Sequence, residues 1–224
     1  GNKPSFSLQE SPKTINLIKP EKIAQAVLDV LGINKTIKHK TLFIGSSYSA
    51  SYVEVIPTQK TGVVAKLIDV RMDYAHNEQV LADIMQRTKV EVTTSRPIPE
   101  SFLQSGRISK IIYKTDEFDQ DFIQLIKNSS MPHVFVCLSP DNLSKEREKN
   151  FDTLISYFNE KELVESNKKR LKIENIEDIK IKSGKKIVCG DKTYDSYFDL
   201  NDRKDLTHFY LDLDYFRVYT EEDE

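Results

Sequence analysis

A chain of 224 residues is long for one domain and short for two, so we expect one core with an appended subdomain or two small units that share an interface. The 38% hydrophobic and 30% charged residues fall into periodic runs, which favours a folded domain over a disordered chain. The net charge of −2 gives no overall attraction to nucleic acid or anionic membranes.

The sequence carries no pattern that directs it into or across a membrane. No apolar run approaches the roughly 18 residues that span a bilayer, and residues 1–14 lack the apolar stretch of a signal peptide. We therefore expect a soluble, cytoplasmic or otherwise intracellular protein without membrane insertion. Because the sequence starts at Gly1 and not at a methionine, a processed or exported form of the protein is kept as the alternative.

The first elements follow a polar lead. Pro20 at a first turn and Gly32 at a C-cap bracket a predicted helix over 21–31. A short apolar run at 41–47 predicts a strand, and two further apolar segments flank the turn-like residues 58–62. The second pattern predicts a β-hairpin.

Helix and strand periods then alternate along the chain. Apolar residues spaced about three and a half residues apart predict a helix over 75–87, and alternating apolar and polar residues predict a strand over 90–94. The apolar runs 108–114 and 133–138 flank a helical pattern at 116–127. Since strands buried on both faces read as apolar runs, we expect these two to be parallel neighbours joined by a right-handed crossover.

The C-terminal third has a different character. Ser139, Pro140 and Asp141 open a predicted long helix over 141–158, and a more polar helix follows over 160–169. The last part has glycines between alternating segments and closes on the strand-like residues 208–219, which predicts an antiparallel β element.

These elements predict an α/β fold, with a mixed, mostly parallel sheet, flanking helices and a C-terminal antiparallel β element; α+β is the alternative. We place a flexible lead at 1–14, the α/β core at 15–140 and a helical connection at 141–172. The antiparallel element then occupies 173–224 and packs on the core, with an acidic tail at 220–224.

Two places suit an anionic ligand, since small residues after a strand let backbone amides approach a phosphate. One is Gly45, Ser46 and Ser47 after the first predicted strand, and the other is Ser139 with Asp141 after 133–138. Neither is part of a complete phosphate-binding motif. Both would lie at the carboxyl ends of parallel strands, where α/β proteins place their ligands.

No catalytic or metal motif is intact. The four histidines have no metal-ligand spacing, no nucleophile elbow is present, and Asp212 with Asp214 is expected to face solvent. We therefore predict no cofactor and no metal site, with a divalent metal as the less favoured alternative, and favour a protein without catalytic activity. Cys137 lies in an apolar run, which favours a buried thiol over a disulfide with Cys189.

Charge is distributed unevenly near the C-terminus. Residues 166–192 hold nine basic and four acidic side chains, whereas 193–224 hold ten acidic and three basic ones. The basic segment suits contact with phosphates or an acidic partner, unless the acidic segment neutralises it within the fold. The residues expected to contact a partner are Lys168, Lys169, Arg170, Lys185 and Lys186.

Three functional hypotheses follow from these patterns. The first is a non-catalytic interaction or regulatory domain that docks a macromolecular partner, most readily a protein, through its charged surfaces. The second is a nucleotide- or phosphate-binding enzyme with its site at the carboxyl ends of the strands. The third is a nucleic-acid-associated protein that uses the lysine-rich segment 168–192.

Overall fold

A computed structural model describes residues 18–38, 40–44, 52–171, 179–183 and 185–211. The strands are β1 (Lys40–Ile44), β2 (Tyr52–Ile56), β3 (Leu67–Arg71), β4 (Val90–Thr94), β5 (Ile108–Thr115), β6 (His133–Cys137), β7 (Ile155–Tyr157), β8 (Ile179–Ser183), β9 (Lys185–Cys189) and β10 (Lys192–Tyr194). The helices are α1 (Pro20–Val30), α2 (Glu78–Arg87), α3 (Glu100–Gln104), α4 (Gln120–Asn128), α5 (Pro140–Lys149), α6 (Glu160–Leu171), α7 (Tyr197–Leu200) and α8 (Leu206–Leu211).

The main sheet has eight strands in the order β10-β9-β2-β3-β4-β5-β6-β7. All neighbours in it are parallel except β9 and β10, which form an antiparallel pair. A separate parallel pair joins β1 to β8. The predicted α/β class, the mostly parallel sheet and the C-terminal antiparallel pair are therefore confirmed.

Six strands, β2 to β7, follow one another in space in the same order as in the chain. Since parallel crossovers are right-handed in nearly all proteins, such an order places every connecting segment on one face of the sheet. The apolar residues of α2, α3 and α4 accordingly share one core with alternate residues of these strands. Two partly buried residues of the β2–β3 connection, Val63 and Ala65, pack against the same core.

The helices over this core begin at side-chain caps that the sequence supplies. Asn77 accepts a hydrogen bond from the backbone amide of Val80 at the start of α2, and Asp119 accepts one from Phe122 at the start of α4. Each cap satisfies one of the amides that a first turn leaves without a partner. The parallel pairing of β5 and β6 around α4 confirms the predicted β-α-β unit.

The other face of the sheet is polar. In β2, β3 and β4 the valines and Ile68 point into the core, and the residues between them are charged or hydroxyl-bearing. Ile56 at the end of β2 packs instead with Ile187 and Tyr197. The C-terminal helices α6, α7 and α8 supply the residues that face this polar surface. The alternation therefore separates an apolar core from a charged cleft on opposite sides of one sheet.

The predicted hairpin around 58–62 is wrong, because β2 and β3 are parallel neighbours. The connecting residues 57–66 run back along the helical face instead of making a tight turn. Arg87 holds this connection by donating a 2.6 Å hydrogen bond from Nη2 to the carbonyl of Thr61. Lys60 adds a 2.9 Å ion pair with Asp83 of α2.

The predicted long helix over 141–158 is also wrong in extent. The helix α5 ends at Lys149, and β7 occupies the region where the second half was expected. Phe151 and Leu154 are 90% and 86% exposed, so they form no buried stripe. Asn150 closes the helix by donating a 3.0 Å hydrogen bond from Nδ2 to the carbonyl of Glu146. The polar helix expected at 160–169 is confirmed as α6.

The strand expected over 208–219 is wrong for its first four residues, which belong to α8. Phe209 and Tyr210 are both buried, and two adjacent buried residues suit a helix wedged between neighbours better than an alternating strand. Asn167 of α6 anchors α8 by donating a 2.7 Å hydrogen bond to the carbonyl of Tyr210. Residues 212–224, with Asp212 and Asp214, lie outside the described residues.

Both cysteines are free thiols, in agreement with the expected buried Cys137. Among the described residues, no helix is both long and apolar enough to cross a membrane. The predicted domain boundaries stay a prediction, and the lead 1–14 and the tail 220–224 lie outside the described residues.

A buried phenylalanine in α4 and an exposed phenylalanine in the α5–β7 turn give a matched pair of predictions. Replacing the buried Phe122, which packs edge-on against Tyr113 with ring centroids 5.0 Å apart, by alanine should lower the free energy of unfolding by about 3–5 kcal/mol. The same substitution at the exposed Phe151 should change it by less than about 0.5 kcal/mol. Urea unfolding of the two variants measures both values, and a large loss for Phe151→Ala would contradict the described turn.

Candidate functional site

A cleft of about 350 Å³ lies on the polar face of the sheet, below the C-terminal helices. We call it the charged-face cleft. Strands β2 to β5 form its floor, and the start of α6 together with α7 and α8 forms its walls. The lining residues are Tyr52, Glu54, Asp69, Arg71, Tyr74, Glu91, Thr93, Lys110, Ile112, Lys114, Phe158, Glu160, Leu163, Tyr197, His208 and Leu211.

The floor contains a row of four charged side chains across four adjacent strands. Backbone register sets Glu54 opposite Asp69, Asp69 opposite Glu91, and Glu91 opposite Lys110. Neighbouring strands lie about 4.8 Å apart, so each charge affects the next one in the row. Three carboxylates in a row require compensation, which other residues of the cleft provide in part.

Arg71 provides most of that compensation. Its guanidinium binds Asp73 in a bidentate manner, through Nε at 2.8 Å and Nη2 at 2.7 Å, and Nη1 donates to Glu54 at 3.0 Å. Nη1 also donates to the hydroxyl of Tyr197 at 2.8 Å, and that hydroxyl donates to Glu54. One cation therefore holds two carboxylates and connects α7 to the sheet.

Aromatic rings enclose this network. The ring of Tyr74 stacks on that of Tyr197 at a centroid distance of 4.7 Å, and the guanidinium of Arg71 lies 4.5 Å from the Tyr74 centroid. Burial raises the pKa of Tyr197 well above its ordinary value, so the phenol stays neutral and can donate a hydrogen bond to Glu54. The rings exclude water and strengthen the charged hydrogen bonds beneath them.

Asp69 lies next to this network, and its carboxyl group has a raised pKa. It is 3% exposed and accepts hydrogen bonds of 3.1 and 3.0 Å from the Thr93 hydroxyl. Burial raises the pKa of Asp69 to about 7, and nearby Glu54 adds to the rise, whereas Arg71 and the Thr93 hydrogen bond oppose it. This carboxyl group therefore gains or loses its proton near neutral pH.

The strand β5 contributes two lysines to the cleft, Lys110 and Lys114, both half-buried. The ammonium of Lys114 lies 4.6 Å from the ring centroid of Phe158. Burial lowers the pKa of Lys114, and the nearby positive charge of Arg71 lowers it further. Within the part of the chain that the structure describes, neither lysine forms an ion pair with a carboxylate. Their positive charges remain available inside the cleft.

The residues predicted to bind a phosphate do not line this cleft. Gly45, Ser46 and Ser47 lie outside the described residues. Ser139 caps α5 by accepting a 3.3 Å hydrogen bond from the amide of Asn142, and Asp141 is exposed in the first turn of that helix. The role of these residues in ligand binding stays a prediction.

The basic residues predicted to contact a partner lie on two elements. Lys168, Lys169 and Arg170 belong to α6, and Lys185 and Lys186 belong to β9. Lys168 pairs with Glu165 at 2.8 Å, and Lys186 pairs with Asp195 from the acidic segment. Lys169 is exposed. Pairing with the acidic segment, the alternative to partner contact, therefore occurs at Lys186, whereas Lys168 pairs with an acidic residue of its own helix.

Among the described residues, no group of three or more histidine, cysteine or acidic side chains is arranged to hold a metal ion. The acidic row fits this observation, because Glu54 and Asp69 are occupied by hydrogen-bond donors from Arg71, Tyr197 and Thr93.

The cleft was not predicted, although the strands that form its floor carry a recognisable pattern in the sequence. The second and third strands carry Glu54 and Asp69 between two apolar residues each, and Glu91 occupies the same place in the next strand. A parallel strand buried against apolar layers on both faces has no charged residue at its centre. Three successive strands with a central carboxylate therefore indicate a polar site on one face.

Comparison of the chain with protein-family models, with curated proteins and with solved structures found no match.

The Tyr197 hydroxyl gives a test of the buried network. Tyr197→Phe removes one donor to Glu54 and one acceptor for Arg71, so we expect the free energy of unfolding to fall by about 1–3 kcal/mol. Tyr194→Phe is the matched control, because Tyr194 forms no hydrogen bond through its side chain in the described part of the chain. Equal stability of the two variants in chemical unfolding would refute the proposed importance of the network.

Asp69 gives a prediction on pH. Its pKa is raised from 3.8 to about 7 in the folded protein, so between these values the folded state holds a proton that the unfolded state has released. The stability that this proton confers is complete below pH 4 and is lost as the pH rises through about 7. Asp69→Asn should remove this decrease in the free energy of unfolding with rising pH, whereas the variant Asp116→Asn at an exposed position should keep it. Unfolding curves measured from pH 4 to 8 would compare the two variants. The same pH dependence in both would contradict the assignment to Asp69.

Proposed function

We propose that this protein binds a small organic molecule that carries an anionic group, of about the size of an amino acid or a mononucleotide, in the charged-face cleft. The observation that carries the proposal is the pair Lys110 and Lys114, two half-buried cations that face the cleft without a carboxylate partner among the described residues. A half-buried ammonium gains from an anion that replaces lost water. The cavity of about 350 Å³ lies within the range of small-molecule sites.

The acidic residues of the floor do not prevent an anion from binding next to β5. Glu54 is compensated by Arg71 and Tyr197. Asp69 carries only part of a charge near neutral pH, because burial raises its pKa to about 7. Lys110 and Lys114 supply the positive charge on the β5 side of the cleft, where Glu91 lies beside Lys110 and Glu160 lies near Lys114. Glu54 and Asp69 lie on the β2–β3 side.

Apolar side chains complete a surface for the organic part of such a molecule. Ile112 lies between the two lysines on the same face of β5, and Phe158, Leu163 and Leu211 contribute from the opposite wall. A concave site with apolar walls and a few charged groups is the usual composition of a small-molecule site. These contacts support an organic anion over a simple inorganic one.

The position of the cleft in the sheet also supports the proposal. Arg71 ends β3, Lys114 lies next to the last residue of β5, and Phe158 directly follows β7. All three are at the carboxyl ends of parallel strands, where open α/β sheets bind their ligands. Lys110 and Glu91 lie nearer the amino ends of β5 and β4, so the cleft extends from the carboxyl ends over the face of the sheet.

Docking of a macromolecular partner remains a separate prediction. We place it second because Lys168 and Lys186 already have acidic partners within the chain, whereas the lysines of the cleft have none among the described residues. The proposal concerns binding, and the expected absence of catalysis also stays a prediction.

Substitution of the two lysines tests the proposal. A thermal-shift screen of the protein with mononucleotides, sugar phosphates, amino acids and inorganic phosphate should find at least one stabilising organic anion. A ligand at a hundred times its dissociation constant adds about 2.7 kcal/mol to the free energy of unfolding. Lys110→Met and Lys114→Met should each weaken its binding about tenfold or more, because each removes a charge-assisted contact.

Lys89→Met is the control, because Lys89 is exposed and lies outside the cleft. Its binding of the same molecule should equal that of the unmodified protein in isothermal titration calorimetry. A screen with no stabilising anion, or equal losses for Lys89→Met and the two cleft variants, would refute the proposal.

A further inference from the structure

Glu91 and Lys110 occupy facing positions of β4 and β5 in the charged-face cleft. Opposite charges at facing positions of neighbouring strands attract each other and commonly contact. Among the described residues, however, neither side chain forms an ion pair or a hydrogen bond. Two unlike charges, both half-buried, therefore face the cleft side by side without neutralising each other.

A β-bulge accounts for the unusual position of Lys110. The register of β4 and β5 shifts between Val90 and Glu91, so that Ser109 is the extra residue of the pair. The Ser109 hydroxyl donates a 3.0 Å hydrogen bond to the carbonyl of Val90 and fixes the bulge. A bulge bends its strand and redirects the side chains beside it, and such irregularities are common next to functional sites.

We propose that Glu91 and Lys110 together bind the charged end of a zwitterionic ligand, with its primary ammonium on Glu91 and its carboxylate or phosphate on Lys110. This inference rests on the proposed function and names the ligand class. Adjacent strands lie about 4.8 Å apart, a spacing that suits an ammonium and an anionic group separated by one or two carbon atoms. α-Amino acids and aminoalkyl phosphates have this arrangement.

The same charges disfavour a simple anion. A ligand with an anionic group alone would neutralise Lys110 but would cover the carboxylate of Glu91 and remove its water without replacing it. A ligand with both groups satisfies both side chains. The apolar part of an amino acid would then contact Ile112, which lies two residues from Lys110 on the same face of β5.

Matched ligands test the inference without changing the protein. Isothermal titration calorimetry would compare leucine with 4-methylpentanoate, and O-phosphoethanolamine with ethyl phosphate, since each pair differs by the ammonium group. We expect the ammonium-bearing member of at least one pair to bind about ten- to a hundredfold more tightly, the size of a charge-assisted hydrogen bond.

A variant then locates the effect. Glu91→Gln should reduce the difference within that pair to about threefold or less, because the amide lacks the negative charge. Glu148→Gln, an exposed position on α5 outside the cleft, should leave the difference unchanged. Lys110→Met should weaken both members of the pair. Thermal unfolding of each variant checks that it is folded, and the comparison in the unmodified protein holds even if one is not.

The outcomes separate this inference from the proposed function. Equal binding within both pairs, or an unchanged difference in folded Glu91→Gln, overturns the zwitterion while leaving an anion site. Binding of mononucleotides but of neither ammonium-bearing probe also overturns it. Failure of every anion in both experiments overturns the proposed function and the inference together.

Discussion

The handedness of parallel crossovers is the constraint on which the rest of this structure depends. Six strands in sequential order, each joined to the next by a right-handed connection, must place all their connections on one face. That face becomes the apolar core with α2, α3 and α4. The opposite face receives none of these connections, so it is free to carry charge. Among the described residues, the later helices α6, α7 and α8 contribute to the cleft on this face.

Electrostatic compensation decides which charges of that face are structural and which remain available. Arg71 is committed to Asp73, Glu54 and Tyr197, and its loss would leave two acidic groups in a poorly hydrated place. The buried Asp69 avoids an uncompensated negative charge because its pKa of about 7 keeps it protonated at lower pH. Among the described residues, no ion pair involves Lys110, Lys114 or Glu91, so their charges face the cleft.

Local patterns predicted the parts of the fold that depend on local physics. The spacing of Phe122 and Ile126 and the cap at Asp119 identify α4, and the apolar runs on either side predict a parallel pair that the structure confirms. The cleft could not be derived in this way, because its residues come from four strands and three helices. Their meeting depends on a strand order that periodicity does not encode. The hairpin failed for the same reason, since one turn-like segment suits either a tight turn or the crossover that Arg87 fixes.

The half-buried Lys114 on β5 opposes the stability of the unliganded fold. Burial lowers the pKa of Lys114, which means that the folded state favours its neutral form more than water does. A local arrangement that opposes stability is found most often at a functional site, where ligand contacts compensate for it. An anion beside Lys114 would stabilise its charged form and raise its pKa, so ligand binding would be linked to the protonation of Lys114. A lysine that served only to solubilise the surface would be fully exposed, and burial would not lower its pKa.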